Sequence, residues 1–321
     1  WRKGNGKHDL PHEQCNSIFE DPGGRIWIGT TGGLCLYRED TRDFEVYFDN
    51  NPAYTKNNGW MNSTGRLWMD PSGIIWFGGW ANGLKRFNPK TGGFSSYLLK
   101  PEFAGHGAYN VITDVASFDG KFWVASHDQG FGTFDSLTNT FDFLKHKELT
   151  SMNLPTALTN SFLVTAQSLW IGTSRGLYAI HRKDQFIKTV PFSNIRKGTC
   201  LPDITDVSVD PANADILYIS TWTCGLFRFN LKKGIPEPVV DPVFTKHANM
   251  DQLHILRQLY AKDSSLFLAT SHGICYKKRD AENFSAFTTH PEISRLPDEN
   301  YTYSLLEDDS GMIWAATRKG I

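Results

Sequence analysis

The sequence contains few cysteines for its length. Cys15, Cys35, Cys200, Cys224 and Cys275 are an odd number in 321 residues, with no CxxC spacing and no paired pattern. Disulfide-stapled domains are short and dense in cysteine, and structural zinc sites use closely spaced cysteine pairs. The chain is therefore not a disulfide scaffold, and its cysteines leave the redox compartment open.

Long apolar runs and an excess of one charge are also absent. The sequence has no apolar run near the roughly 20 residues that a membrane-spanning helix needs. Lys and Arg together number 33 and Asp and Glu 34, so the net charge is -1. Nucleic-acid-binding domains usually carry a basic excess or a basic stripe. We therefore expect no nucleic-acid partner.

Motifs for common catalytic and metal chemistry are missing as well. The sequence has no G-x-S-x-G, no P-loop and no GxGxxG opening a helix. Five of its histidines are spread along the chain without HxH or HExxH spacing, namely His12, His106, His127, His254 and His272. We therefore predict no metal and no cofactor.

Glycine and aromatic residues are abundant instead. The chain has 28 glycines, 10 tryptophans and 22 phenylalanines. Glycine favours tight turns and aromatic residues favour strands, so this composition is typical of an all-β protein.

An internal repeat of roughly 48 residues runs through the chain. Its clearest copy spans Ile18 to Leu34 and contains an aromatic anchor, Trp27, six residues before a glycine. The same aromatic position recurs every 47 to 49 residues. The anchor aromatics are Trp27, Trp76, Trp123, Trp170, Tyr218, Phe267 and Trp314. The anchor glycines are Gly33, Gly83, Gly130, Gly176, Gly225, Gly273 and Gly320.

Each copy is expected to form four short strands. One strand precedes an Asp-x-x-Gly turn, the second carries the anchor aromatic, the third starts at the anchor glycine and the fourth lies outside them. Four strands in about 40–50 residues are typical of a propeller blade. We therefore predict an all-β, seven-bladed β-propeller of four-stranded antiparallel blades, forming a single domain over residues 1–321. The aromatic anchors are interpreted as packing between blades, and Asp21, Asp70 and Asp308 as turn formers.

Both ends of the sequence cut through a repeat. Trp1 lies 26 residues before Trp27, as Tyr97 does before Trp123, which places it at the end of an outer strand. Gly320 and Ile321 stand where a third strand should begin. The chain is interpreted as a slice of a longer multi-domain protein.

The residue pattern of the repeat resembles that of a known family. The pattern I-x-x-D-x-x-G-x-I-W-I-G-T-x-x-G-L resembles the two-component-regulator propeller repeat, with Ile18 to Leu34 the nearest match and Leu67 to Leu84 and Leu305 to Ile321 also good. The Trp170 copy lacks the Asp-x-x-Gly turn, and the Trp123, Tyr218 and Phe267 copies keep only the skeleton.

The resemblance implies a role in sensing. Such repeats form the periplasmic sensor of membrane-bound hybrid two-component regulators, often from Bacteroides-type bacteria, which respond to oligosaccharides. The implied partners are an oligosaccharide, a neighbouring propeller or sandwich domain of the same chain, and a second copy in the parent homodimer. The parent is implied to be a histidine kinase, but this domain is not expected to be an enzyme.

The candidate ligand-binding residues lie in the loops that join the second and third strands, which we call the exit loops. In a propeller these loops share a face with the segments before each first strand, which we call the entry loops. Tryptophan can stack on the apolar face of a sugar, and charged or amide groups can bind hydroxyl pairs. The predicted ligand-binding residues are Trp80, Asn82, His127, Asp128, Gln129, Arg175, Trp222, His272 and Arg318. The entry loops add His12, Glu13, Trp60, Tyr109, Asn110, His254 and Tyr301.

Two other functions remain open at this point. A propeller glycosidase or lyase would need converging carboxylates, for which the sequence offers only Asp128 with Glu13 or Asp203. A protein-interaction scaffold needs no chemistry at the loops, but the Gly-His and Trp-Asp pairs of eukaryotic propellers are absent.

Overall fold

The computed structural model describes residues 1–49, 63–80, 82–103, 110–143, 158–183, 187–192, 203–245, 253–287 and 300–321. The chain divides into two compact units, one formed by Trp1–Thr159 with Ala316–Ile321 and the other by Asn160–Ala315. Whether the repeats act as one domain stays a prediction.

Six repeats form four-stranded antiparallel sheets in which strands pair in chain order. Blade 1 consists of β1 (Cys15–Glu20), β2 (Ile26–Thr30), β3 (Leu34–Arg38) and β4 (Asp43–Tyr47). Blade 2 consists of β5 (Leu67–Met69), β6 (Ile75–Phe77), β7 (Leu84–Asn88) and β8 (Gly93–Tyr97). Blade 3 consists of β9 (Ile112–Phe118), β10 (Lys121–Ser126), β11 (Gly130–Asp135) and β12 (Thr140–Phe143). Blade 4 consists of β13 (Thr159–Val164), β14 (Ser168–Thr173), β15 (Gly176–His181) and β16 (Ile187–Thr189). Blade 5 consists of β17 (Ile204–Asp210), β18 (Asn213–Thr221), β19 (Leu226–Asn230) and β20 (Pro236–Pro238). Blade 6 consists of β21 (Ile255–Tyr260), β22 (Leu266–Thr270), β23 (Gly273–Lys277) and β24 (Ser285–Phe287). A 3-10 turn (Pro101–Phe103) and a short helix α1 (Pro242–Thr245) are the helical elements among the described residues.

The prediction of seven four-stranded blades is wrong. The seventh repeat forms a two-stranded sheet of β25 (Thr302–Glu307) and β26 (Ile313–Thr317), so the described part of the propeller has six blades. The anchors recur seven times because they mark the second strand and the start of the third. A complete blade needs a third and a fourth strand as well, and after Gly320 the sequence supplies only Ile321.

Trp1 and Ile321 pair through their backbones as residues of two adjacent strands do. Its amino group donates to the Ile321 carbonyl at 2.8 Å, and the Ile321 amide donates to the Trp1 carbonyl at 3.0 Å. A Cβ on Gly320 would lie 2.0 Å from the Trp1 carbonyl oxygen, just as a Cβ on Gly83 would lie 2.2 Å from that of Tyr97. All seven anchor glycines have positive φ, so the backbone conformation of the repeat requires glycine there, and close approach adds to this at Gly83 and Gly320.

The anchor tryptophans are buried, as the repeat predicts. Trp27 is fully buried and packs edge-on against Phe87 of the next blade, with ring centroids 5.7 Å apart. Trp76 contacts Phe122 of the following blade at 4.9 Å. Tyr218 and Phe267, which replace tryptophan in blades 5 and 6, are only half-buried. Aromatic contacts of this kind hold successive blades together.

The turn aspartates do more than the sequence indicates. In the first repeat one carboxylate oxygen of Asp21 accepts the Gly23 and Arg25 amides at 2.9 and 3.2 Å, and the other accepts the Trp27 indole N–H at 2.9 Å. The same indole-to-aspartate bond recurs from Trp76 to Asp70 and from Trp314 to Asp308. Each aspartate therefore closes the turn and orients the anchor.

In the fourth repeat, which lacks the turn aspartate, the anchor tryptophan loses its hydrogen-bond acceptor. Its turn is one residue shorter, with Thr165 donating its amide to the Ser168 carbonyl. The buried indole N–H of Trp170 has no acceptor in the part of the chain that the structure describes. The loss of the Asp-x-x-Gly turn in this copy thus removes a hydrogen bond from the core.

Candidate functional site

In five of the seven repeats a threonine at the end of the second strand shapes the exit loop that follows. In blade 5 the Thr221 hydroxyl donates to the Gly225 carbonyl at 2.7 Å and accepts the Cys224 amide at 2.8 Å. The same pair of bonds forms at Thr30, Thr173, Thr270 and Thr317. This role of the threonine was not predicted from the sequence, although the G-T of the repeat pattern contains the signal.

The exit loops are tied to entry loops by a second recurring bond. The first amide after the second strand donates to a carbonyl of the entry segment of the same blade. These donor-acceptor pairs are Thr31 to Gln14, His127 to Val111, Trp222 to Asp203 and Ser271 to His254. Because the first two strands are antiparallel, the end of one lies beside the start of the other. The entry and exit loops of one blade therefore form one surface, as predicted.

In the second unit Trp222, His254 and Tyr301, which come from three successive repeats, lie together. The Trp222 ring stacks on the His254 ring with centroids 4.1 Å apart and an interplanar angle of 21°. His254 Nδ1 is 3.2 Å from the Tyr301 hydroxyl, within hydrogen-bond distance. Trp222 remains 36% exposed although its ring is held in place. We call these three residues the Trp222 cluster.

Polar groups border the Trp222 cluster. Ser271 accepts the His254 amide at 3.1 Å, and its hydroxyl lies 2.9 Å from His272 Nδ1, which places His272 next to the cluster. Asp203, whose carbonyl accepts the Trp222 amide, has its carboxylate held by the Asn160 side chain at 2.8 Å. The cluster therefore combines an exposed aromatic face with imidazole and hydroxyl groups.

A smaller group forms in the first unit. Trp80 is 49% exposed and lies 5.8 Å from the His127 ring. The Asp128 carboxylate accepts from Gln129 at 3.0 Å and from Lys100 at 3.4 Å, and the Ser126 hydroxyl donates to it at 2.9 Å. Three predicted exit-loop residues of blade 3 thus lie together with Trp80 nearby.

The remaining predicted residues divide by exposure. Asn82 is fully buried and donates to the Ser63 carbonyl at 3.2 Å, so it supports its loop from inside. Asn110 is also buried, and its side chain bonds both the amide and the carbonyl of Lys100. Arg175 and Arg318 are exposed. Trp60 and Tyr109 lie outside the described residues.

The carboxylates considered for an enzyme are each engaged by other groups. Asp128 is bonded as described above, and Glu13 pairs with Lys319 at 3.2 Å. Asp203 accepts from Asn160. Near Glu13, the pKa of His12 is lowered by partial burial and by the charge of Lys3, against the opposing effect of Glu13. Within the described residues, no group of three or more His, Cys, Asp or Glu side chains could hold a metal ion.

The cysteines differ in state. Cys224, in the exit loop of the Trp222 cluster, is disulfide-bonded. Cys15, Cys35 and Cys275 are free and buried, and burial raises the pKa of the Cys15 and Cys275 thiols to about 12. Cys200 lies outside the described residues.

The comparison with family models decides the kind of repeat. Residues 9–32 match the family model described as the two-component-regulator propeller. This chain carries that repeat. The match covers the first strand, the Asp21 turn and the anchor Trp27, which are the features on which the resemblance was drawn, and the resemblance is confirmed. No curated protein matches the chain.

Solved structures share the fold. The extracellular domain of the putative hybrid two-component system BT3049 of B. thetaiotaomicron is 21% identical, with a TM-score of 0.73 over 99% of this chain and 40% of that one. The extracellular domain of the putative hybrid two-component system BT4673 of the same organism is 16% identical, with a TM-score of 0.75 over 100% of this chain and 39% of that one. This chain thus spans about two fifths of the length of each. None of its described helices has the length and apolar character needed to cross a membrane.

Proposed function

We propose that this chain is a ligand-sensing propeller domain of a membrane-bound hybrid two-component regulator, and that it binds an oligosaccharide at the Trp222 cluster. The observation that carries the proposal is the exposed Trp222 ring, stacked at 4.1 Å on His254, which is itself within hydrogen-bond distance of the Tyr301 hydroxyl. Its position is set before any ligand arrives, which reduces the entropic cost of binding.

The chemistry around Trp222 suits a sugar. One face of the indole packs on His254, and the exposed part of the ring can cover the apolar face of a pyranose. Tyr301 and His254 supply donors and acceptors for hydroxyl groups at the edge of the ring. The group around Trp80 and His127 offers a similar combination in the first unit.

The signalling part of the proposal is supported by the comparisons. The repeat at residues 9–32 belongs to a family of two-component regulators, and the proteins of similar fold are extracellular domains of such systems. We place this domain in the periplasm, next to another propeller or a sandwich domain of a homodimeric parent. Ligand binding would shift that parent between two states by its differential affinity for them.

Binding of a glycan should depend on Trp222. The purified chain is screened by thermal shift and then by calorimetry against a panel of oligosaccharides. The Trp222→Ala variant is expected to weaken binding by about 30-fold, since losing a central aromatic contact costs on the order of 2 kcal/mol. Trp222→Phe, which keeps a ring over His254, should recover most of the affinity.

Trp80→Ala serves as the matched control, because Trp80 is the other exposed tryptophan of the exit loops. An equal loss of affinity in Trp80→Ala and none in Trp222→Ala would assign the sugar to the first unit. If no oligosaccharide raises the melting temperature, the chain is a scaffold instead. Hydrolysis of a bound oligosaccharide during the assay would identify a glycosidase.

Export to the periplasm predicts a specific pattern of thiol reactivity. Disulfides persist in oxidising compartments, so Cys224 should resist alkylation without a reductant. Cys15, Cys35 and Cys275 should alkylate only after unfolding, because they are buried with little thiolate present. Mass spectrometry of chain purified from periplasm checks both statements, and a free Cys224 thiol in that material would contradict the proposed location.

A further inference from the structure

The second unit contains a cavity of about 460 Å³ between blades 5 and 6. Its lining comes from the outer parts of both blades, including Tyr218 of β18 and Tyr260 of β21, and includes none of the predicted exit-loop or entry-loop residues. We call it the Tyr218 cavity. A volume of this size is within the range of small-molecule sites, about 300–1,000 Å³.

The cavity lies where the anchor tryptophan is replaced. In blades 1, 2 and 4 the anchor is a buried Trp27, Trp76 or Trp170 whose ring reaches the following blade. In blade 5 the anchor is Tyr218, a smaller side chain that is only half-buried and lines the cavity. The substitution therefore leaves room at this junction and places a phenol hydroxyl inside it.

Two tyrosines give the cavity a polar floor. The Tyr218 and Tyr260 rings lie 6.1 Å apart at 60°, and both residues line the cavity. Arg228 lies opposite Tyr218 in the β18–β19 pair and also lines the cavity. Burial raises the pKa of both tyrosines, so both hydroxyls stay protonated and can hydrogen-bond a ligand.

The walls are apolar and the surrounding charge is positive. Leu266, Val239 and Phe284 line one side, and the Lys277 ammonium lies 6.0 Å from the Phe284 ring. Arg228, Lys277, Lys278 and Arg279 line the cavity against two carboxylates, Asp210 and Glu237. Glu237 also pairs with Lys233 at 3.3 Å, which neutralises part of its charge. The balance of charge favours an anion.

We propose that the Tyr218 cavity binds a small organic anion, namely a ring compound that carries hydroxyl groups and one carboxylate or sulfate. The ring packs on Phe284 and Leu266, the hydroxyls bond Tyr218 and Tyr260, and the anionic group faces Lys278 and Arg279. An inorganic ion alone is too small for this volume. The site is separate from the Trp222 cluster and does not depend on it.

A pair of probes that differ in one carboxylate tests the proposal. 4-Nitrophenyl β-glucuronide and 4-nitrophenyl β-glucoside are titrated into the full chain by calorimetry and by NMR. We expect the glucuronide to bind at least 10-fold more tightly than the glucoside and to weaken as salt increases. Tyr218→Trp, which restores the anchor of the other blades and fills the space, should abolish binding.

Variants that change only charge test the preference for an anion without altering the two tyrosines of the cavity. Lys278→Gln with Arg279→Gln alters two exposed side chains and should weaken glucuronide binding at least five-fold. Lys183→Gln with Lys188→Gln removes the same charge from exposed positions that do not line the cavity and should leave binding unchanged. Trp222→Ala should also leave it unchanged, which separates this site from the proposed sugar site. Failure of both probes to bind, equal affinity for the two probes, or full binding by folded Tyr218→Trp would overturn the proposal.

Discussion

Lys85→Met is expected to lower the free energy of unfolding by about 3–5 kcal/mol, the cost of breaking one side of a buried ion pair. Lys85 is 1% exposed, on β7, and its ammonium contacts the carboxylate of Asp49, just after β4. Ser96 on β8 donates to the same carboxylate at 2.9 Å. The variant leaves a buried carboxylate with its cation removed, so chemical denaturation should show a large loss of stability.

The loss of stability in Lys85→Met should come from the broken ion pair and not from lost packing of the Lys85 side chain. The double variant Lys85→Met with Asp49→Asn removes both charges and keeps a partner for Ser96, so it should recover at least half of the loss. Lys262→Met, which breaks the exposed pair with Asp309, should cause no measurable change. A double variant less stable than Lys85→Met would show that the ion pair is not what holds blades 1 and 2 together at this point.

Asp21→Ala is expected to cost about 3 kcal/mol of unfolding free energy, because it removes the acceptor of a buried indole N–H and of two turn amides. Trp27 is fully buried and cannot find water instead. Asp135→Ala is the matched control, since Asp135 also accepts turn amides but contacts no tryptophan and is exposed. Urea denaturation of both variants should show a much smaller effect for Asp135→Ala, and equal effects would contradict the role given to the indole bond.

The contribution of Asp21 to the free energy of unfolding should also depend on pH. Burial opposes ionisation of Asp21, but hydrogen bonds from the Trp27 indole and from the Arg25 and Gly23 amides outweigh it and lower the pKa. A lowered pKa stabilises the fold fully above the unfolded-state pKa, near 4, and this contribution is lost as the pH falls through the folded-state value. The difference in stability between the native chain and Asp21→Ala should therefore narrow below about pH 4. A stability difference between the two proteins that is constant from pH 7 to pH 3 would contradict the lowered pKa of Asp21.

The repeat could be recognised from the sequence because its anchors have strict local requirements. A turn that needs glycine at positive φ, an aspartate that bonds an indole six residues later and a ring that fills a gap between blades all leave fixed spacings in the sequence. The spacings indicated seven repeats, yet among the described residues only six repeats have four strands. Strand number depends on pairing partners that the anchors do not report, as the contact between Trp1 and Ile321 shows.

The candidate site was predicted in part. Antiparallel pairing of the first two strands is enough to place Trp222 beside Asp203 in blade 5 and Ser271 beside His254 in blade 6. The stacking of Trp222 on His254, the burial of Asn82 and the disulfide at Cys224 were not foreseen. Each depends on side-chain packing between segments that are distant in sequence.

The sequence alone determined the all-β class, the period of the blades, the positions of the turns and the kind of repeat, because these follow from residue preferences within a single copy. Only the tertiary structure decided the number of complete blades, the exposed faces of the loops and the existence of the Tyr218 cavity. These features arise where one copy meets the next. A tyrosine in place of tryptophan looks conservative within its own repeat, and its consequence becomes visible only when the neighbouring blade fails to fill the space it leaves.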